Sequence, residues 1–247
     1  MASCSNCGAK LVEGSALCGS CGLPCGSSTA PGPPPPGPGA AFATIEGILA
    51  ALIARVQNIL TKPQEEWPVI QQEQTNIAAL YRSYIALLAA IPLIADFIDR
   101  CIIGTAVLFA TFRFPLVRGL IGFILIYAFT LGGVYLAAYA IAKLAPIFGS
   151  QSRFLQALKL VTYSYTAYWV AGIGFVVPIV GWLVVLAGIV YGVYLFYLGL
   201  PVMMKTPQDK VILYTIVAWL VLTAITFIPT MAVRRYVFGE VVALTGF

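Results

Sequence analysis

Histidine is absent from this chain of 247 residues, and only 9% of its residues are Asp, Glu, Lys or Arg. The absence of histidine removes the commonest general base, the Ser-His and Cys-His nucleophile pairs, and imidazole ligands for a metal or haem. The sequence also contains no zincin motif, no Walker loop and no Gly-x-Ser-x-Gly element. We therefore expect a protein without enzymatic activity.

Acidic residues are missing from a long central stretch, because no Asp or Glu occurs between Asp99 and Asp209. A proton- or sodium-coupled pump normally needs carboxylates in the middle of the membrane, so this gap argues against that class of transporter. Lys and Arg outnumber Asp and Glu by 14 to 9, but no block of five or six like charges occurs. Such a dispersed positive charge does not predict nucleic acid as a partner.

Hydrophobic residues, in contrast, make up 60% of the chain. From residue 83 onward, apolar runs recur that are long enough to cross about 30 Å of hydrocarbon as helices. We predict an all-α polytopic protein of the inner or plasma membrane, with the lipid bilayer as a partner. Its bundle, residues 83–235, contains five predicted spans at about 83–103, 116–144, 156–177, 179–200 and 211–233, and a tail of residues 236–247 follows.

Four cysteines near the N-terminus form two Cys-x-x-Cys-Gly turns separated by ten residues. Two such turns can present four thiolates to one tetrahedral Zn²⁺, and so short a segment cannot fold on hydrophobic burial alone. Disulfides or a thioredoxin-like redox couple are the alternative, but no βαβ pattern surrounds the motif. Residues 1–25 are thus predicted to form a zinc-ribbon-like head with structural Zn²⁺ held by Cys4, Cys7, Cys18 and Cys21.

Two further segments separate the head from the first predicted span. Residues 26–41 are rich in Pro and Gly and offer no apolar face, which predicts a solvated linker. Residues 42–60 place apolar side chains at helical spacing with a polar back, which indicates an amphipathic helix in the membrane interface. A sixth span over these residues is the alternative. A second helix is expected after Pro63, so that the interfacial region covers residues 42–82.

The distribution of Lys and Arg favours a cytoplasmic N-terminus. In that orientation nine basic residues face the cytoplasm and five face the opposite side, which is the direction of the positive-inside bias. Zinc thiolates also require a reducing compartment. The five basic residues of the outer side are Arg100, Arg113, Arg118, Arg234 and Arg235.

Small residues form one candidate packing site inside the predicted bundle. Glycines recur at intervals of seven, four and seven along one stripe of the fourth span, and such a stripe lets another backbone approach closely. The partner is another helix of the same bundle, a second copy in a homo-oligomer, or a lipid. The stripe consists of Gly181, Gly188, Gly192 and Gly199.

Charged residues near the end of the first predicted span form a second candidate site. Asp96, Asp99 and Arg100 lie together there, and Arg100 follows Asp96 by four residues. This spacing favours a local ion pair at a helix end. An intramembrane polar site at the same residues is the alternative.

Three stretches of the membrane part carry a resemblance to a known family. They are PQEEWPVIQQEQTNIAALYRSYI at 63–85, FGSQSRFLQALKLVTYSYTAYWVAGI at 148–173 and VYLFYLGLPVMMKTPQDKVILYTIV at 193–217. In this order and spacing they resemble the Yip family of integral membrane proteins, named for interaction with Ypt/Rab GTPases, in its prokaryotic form. The resemblance implies five spans and a cytoplasmic N-terminal region. The role of eukaryotic members in vesicle traffic does not carry over to a prokaryotic form.

Together these observations predict a non-enzymatic membrane protein that organises or remodels the membrane, or scaffolds other membrane proteins. The head, on its flexible linker, is expected to bind a cytosolic protein partner. The alternative function is a small transporter or lipid translocator. Such a protein would use the glycine stripe, the neighbouring tyrosines Tyr191, Tyr194 and Tyr197, and Asp96 or Asp99 as a polar path through the bundle.

Overall fold

The computed structural model describes residues 45–107, 110–177 and 180–245, and nearly all of them are helical. The chain divides into two compact units, Met1–Leu49 and Ala50–Phe247. Only residues 45–49 of the first unit are described, so the predicted head and linker lie outside the described residues. The second unit contains the helical bundle.

Two helices precede the bundle. Helix α1 spans Ile45–Thr61 and α2 spans Pro63–Gln72, so helices lie where the amphipathic pattern predicts them. Pro63 opens α2 at a position where no intrahelical N–H donor is required. Glu65 and Glu66 in the first turn of α2 stabilise the positive end of the helix dipole.

A helical run of mixed type follows. It consists of α3 (Ile77–Leu80), a π-helical segment (Tyr81–Ile85), α4 (Ala86–Phe97) and a second π-helical segment (Ile98–Ile103). The side chain of Asn76 begins the run by accepting a hydrogen bond from the backbone N–H of Ala79 at 2.7 Å. Gly104 ends it with φ of 95°, a conformation that glycine adopts without strain. An antiparallel hairpin of β1 (Thr105–Val107) and β2 (Ala110–Phe112) comes next.

Four more helices complete the bundle. They are α5 (Leu116–Leu144), α6 (Phe154–Ala171), α7 (Val180–Met204) and α8 (Val211–Thr245). Short 3₁₀ segments follow α5 and α6 and precede α8, at Ala145–Phe148, Gly172–Val176 and Gln208–Lys210. Helix α6 is central, since it packs against α4, α5 and α7 and most of its residues are buried.

Three helices among the described residues are long and apolar enough to cross a membrane, at Leu116–Phe148, Val180–Met204 and Gln208–Val237. They correspond to the predicted second, fourth and fifth spans, which confirms the all-helical class. The predicted first span falls on the run interrupted by π-helical segments, and the third falls on α6. Helix α6 is less apolar because it buries Lys159, Thr162 and Ser164 in the bundle interior. Its composition is that of a core helix with little surface toward lipid.

Large apolar side chains are exposed along the sides of the long helices. A surface of this kind is unstable in water and stable against hydrocarbon chains. The exposed residues include Val117, Leu120 and Ile124 on α5, Trp182, Leu183 and Leu186 on α7, and Leu213, Leu220 and Ile228 on α8.

Candidate functional site

Four charged side chains hold α2 against the bundle, and we call them the anchor cluster: Arg55, Glu66, Glu73 and Lys159. The Arg55 guanidinium donates to Glu66 Oε1 through Nη1 and to Glu73 Oε2 through Nη2, the second at 2.7 Å. Burial, the largest single influence, lowers the pKa of Arg55, but electrostatic interactions with Tyr163, Glu73 and Glu66 outweigh it, and the pKa lies above its usual value. The guanidinium therefore stays charged and bridges α1 to both ends of α2.

Lys159 joins this cluster from α6. It is only 1% exposed, and its Nζ donates to the carbonyl oxygens of Ile70 at 2.8 Å and Glu73 at 2.6 Å. These carbonyls lie at the C-terminal end of α2, where helix carbonyls lack intrahelical partners and the helix dipole is negative. A buried ammonium group is costly unless it is paired, so Lys159 is satisfied only while α2 stays in place.

Trp67 supplies the apolar part of the same contact. Its side chain is fully buried and lies edge-on to Tyr163, with 6.4 Å between ring centroids. A Cβ atom on Gly199 would lie 2.7 Å from Trp67 Cζ2, so the glycine leaves the space that the indole fills. Tyr163 in turn contacts the ring of Tyr84, whose hydroxyl is 2.8 Å from Thr166 Oγ1. The contact thus extends from α2 into the core.

All four glycines of the predicted stripe pack against other segments of the same chain. A Cβ atom on Gly188 would meet Ala171 Cβ at 2.4 Å and the carbonyl oxygen of Ala167 at 2.8 Å, and one on Gly192 would meet the carbonyl oxygen of Ser164 at 2.9 Å. At the start of α7, Gly181 lies against the backbone of the 3₁₀ segment that follows α6. The stripe is therefore occupied along its length by α6, the segment after it, and α2.

A second charged group lies where the helical run of α4 ends, and we call it the arginine cluster: Asp96, Arg100 and Arg234. Asp96 Oδ1 accepts from Arg100 Nε at 3.0 Å and from Arg234 Nη2 at 3.0 Å. The first contact is the i,i+4 pair that the spacing favours. The second comes from α8, 138 residues away, and nothing in the local sequence indicates it. Asp99 has interactions of its own and is not part of these two contacts.

The predicted zinc ligands Cys4, Cys7, Cys18 and Cys21 lie outside the described residues. Within the part of the chain that the structure describes, no group of three or more His, Cys, Asp or Glu side chains could hold a metal ion. The zinc site therefore stays a prediction from the sequence.

A helical bundle with apolar sides and polar clusters at the helix ends defines an integral membrane protein. The chain belongs to the Yip1 family, since the Yip1 domain matches residues 58–228, and the resemblance seen in the sequence is confirmed. The inner membrane protein YohC of Escherichia coli, in two strains, is 28% identical over 162 residues that cover 64% of this chain and 83% of the relative. No solved structure matches the chain.

Each of the two clusters contains residues inside the region matched by the Yip1 domain and one arginine outside it. Glu66, Glu73 and Lys159 lie inside residues 58–228, whereas Arg55 precedes that range and Arg234 follows it. Each cluster is therefore completed by one arginine from outside the matched region.

Proposed function

We propose that this protein is a non-enzymatic, five-span Yip-type membrane protein that organises the membrane or scaffolds other membrane proteins. Its N-terminal zinc ribbon serves as a cytosolic interaction module. The anchor cluster is the observation that carries the proposal. It ties α1 and α2 to α6 through charged hydrogen bonds, so the helices that open the bundle are held in one arrangement, as a scaffold requires.

The bundle interior supports a scaffolding role over the alternative of a transporter or lipid translocator. That alternative uses the glycine stripe, the neighbouring tyrosines and Asp96 or Asp99 as a polar path. In the structure the stripe is filled by the chain's own helices, and Asp96 is paired with two arginines. Reconstituted liposomes provide the test: movement of a fluorescent lipid that is lost in Asp96→Asn would favour the translocator.

The zinc ribbon is tested by metal content. We expect about one equivalent of zinc per purified chain, the number that four thiolates in two paired turns bind. Cys18→Ser should abolish it, whereas Cys25→Ser should retain it, because Cys25 lies outside the two Cys-x-x-Cys pairs. Zinc retained in full by Cys18→Ser would contradict the proposed ligand set.

The interaction module is tested by affinity purification from membranes with the full chain, with a chain lacking residues 1–26, and with Cys18→Ser. We expect the same partners to be lost in both altered chains and kept in Cys25→Ser. An unchanged set of partners without residues 1–26 would overturn the proposed role of the head.

A further inference from the structure

Arg234 has a hydrogen-bond donor for which the described part of the chain supplies no acceptor. Its Nη2 donates to Asp96, but its Nε is buried and has no partner among the described residues. A buried guanidinium N–H without an acceptor costs free energy. The position thus lacks one acceptor oxygen, and a negatively charged acceptor would be the most favourable.

The charge balance of the cluster favours an anion. Two guanidinium groups share a single oxygen of the Asp96 carboxylate, so these three side chains carry one excess positive charge. In the sequence around the cluster, Arg113, Arg118 and Arg235 add three positive charges, and Asp99 and Glu240 add two negative charges. At this end of the bundle positive charge therefore exceeds negative charge.

The depth of the cluster in the membrane narrows the choice of anion. Arg234 lies 23 residues after Val211, where α8 begins. Because about 20 residues of helix cross the hydrocarbon, Arg234 lies close to the boundary between hydrocarbon and headgroups. Lipid phosphates lie at this level. Arginine binds phosphate through two or more N–H groups in a planar fork, which suits it to this chemistry.

The two arginines of the cluster are partly exposed. The side chains of Arg100 and Arg234 are 24% and 23% exposed. Asp96 and Arg100 also border a cavity of about 10 Å³ beside α5, which is room for about one water molecule. A phosphate group can therefore contact the exposed part of each guanidinium from the surface, and Arg234 must turn its side chain for the buried Nε to join that contact.

We propose that the arginine cluster binds the phosphate group of an anionic membrane lipid, with Arg234 as the principal donor. Arg234 follows the residues matched by the Yip1 domain, so this site goes beyond what the family match assigns. It is also independent of the scaffolding function proposed above, because it requires neither the head nor its zinc.

The test is native mass spectrometry of the full chain in detergent, titrated with phosphatidylglycerol or with phosphatidylcholine. We expect preferential binding of phosphatidylglycerol. Arg234→Gln should weaken that binding about fivefold, the contribution of one basic residue near an anionic lipid. Arg235→Gln is the matched control, since Arg235 is exposed and adjacent on the same helix, and it should change binding by less than Arg234→Gln.

Asp96→Asn is expected to change phosphatidylglycerol binding in the opposite direction to Arg234→Gln. Removing the negative charge that Arg234 contacts leaves more of its positive charge for a phosphate group, so this variant should bind phosphatidylglycerol more tightly than the unaltered chain. A purely structural ion cluster predicts no gain. Equal binding of both lipids, equal binding by Arg234→Gln, or no gain in a folded Asp96→Asn variant would each overturn the proposal.

A competition with inorganic phosphate distinguishes a lipid phosphate from free phosphate as the bound group. In the same titration, millimolar phosphate that displaces phosphatidylglycerol would show that the site takes phosphate from solution, which overturns the assignment to lipid. Retention of the lipid supports it.

Discussion

Gly188→Ala tests whether the glycine stripe packs within one chain. An alanine Cβ at this position would lie 2.4 Å from Ala171 Cβ and 2.8 Å from the carbonyl oxygen of Ala167. Neither neighbour can rotate away, because one is a methyl group fixed to the backbone and the other is backbone. Helices α6 and α7 must therefore separate by about 1 Å to restore van der Waals contact.

The loss of stability caused by Gly188→Ala can be isolated by comparison with a matched glycine-to-alanine substitution. Gly132 lies inside α5, and a Cβ atom there would meet nothing within 4 Å. Both substitutions gain the same helix propensity, about 1 kcal/mol, so this gain cancels when the two variants are compared. What remains is the cost of overpacking, about 1–3 kcal/mol. We expect Gly188→Ala to be less stable than Gly132→Ala by this amount.

Thermal unfolding in one detergent, followed on monomer isolated by size exclusion, measures the difference. With about 2–4 °C per kcal/mol for a protein of this size, Gly188→Ala should melt several degrees below Gly132→Ala. Equal melting temperatures would refute the packing argument. A change in oligomeric mass at unchanged melting temperature would instead place the stripe between two copies of the chain.

Other variants test the contact of α2 with the bundle and the number of crossings. Trp67→Ala should destabilise the protein by about 3–5 kcal/mol, whereas Trp182→Ala, at a side chain 64% exposed, should have little effect on thermal unfolding. Lys159→Met leaves two carbonyls at the end of α2 without a donor and should cost about 1–3 kcal/mol, with faster proteolysis at α2, while the exposed Lys143→Met should not. In a bacterial host, green fluorescent protein fused after Lys205 should fluoresce, and alkaline phosphatase fused at the C-terminus should be active; the opposite pattern would contradict five spans with a cytoplasmic N-terminus.

The sequence was most informative where a helix faces lipid. The second predicted span, 116–144, has the bounds of α5, and the fifth begins where α8 begins. These helices are apolar on every side, so length and hydrophobicity are enough to find them. The sequence also located the run through α4 and helix α6. The π-helical segments of that run and the burial of hydroxyl groups on α6 depend, however, on packing against neighbouring helices. A hydropathy pattern does not contain that information.

The polar clusters could be predicted only in part. Asp96 and Arg100 are one helical turn apart, so their pairing follows from spacing. Arg55 bridges residues 11 and 18 positions away, and this pairing requires knowing how α2 is placed relative to Arg55. The one available signal for Lys159 was its place inside an otherwise apolar segment. Such a lysine is costly in lipid and therefore needs a partner.

The two clusters together bear on the proposed five crossings. The anchor cluster lies beside the last turns of α7, where Gly199 meets Trp67, and α8 begins shortly after α7 ends. Arg234 lies about 35 Å farther along α8 at 1.5 Å per residue, and there it contacts Asp96. The run from Ile77 to Asp96 begins close to Glu73 of the anchor cluster and is about 28 Å of helix. This length is close to the hydrocarbon thickness of about 30 Å, which supports the proposal that the run crosses the membrane as the first span. Arg100 and Arg234, which the distribution of Lys and Arg assigns to the same side, both contact Asp96, and this shared contact supports the proposed five crossings.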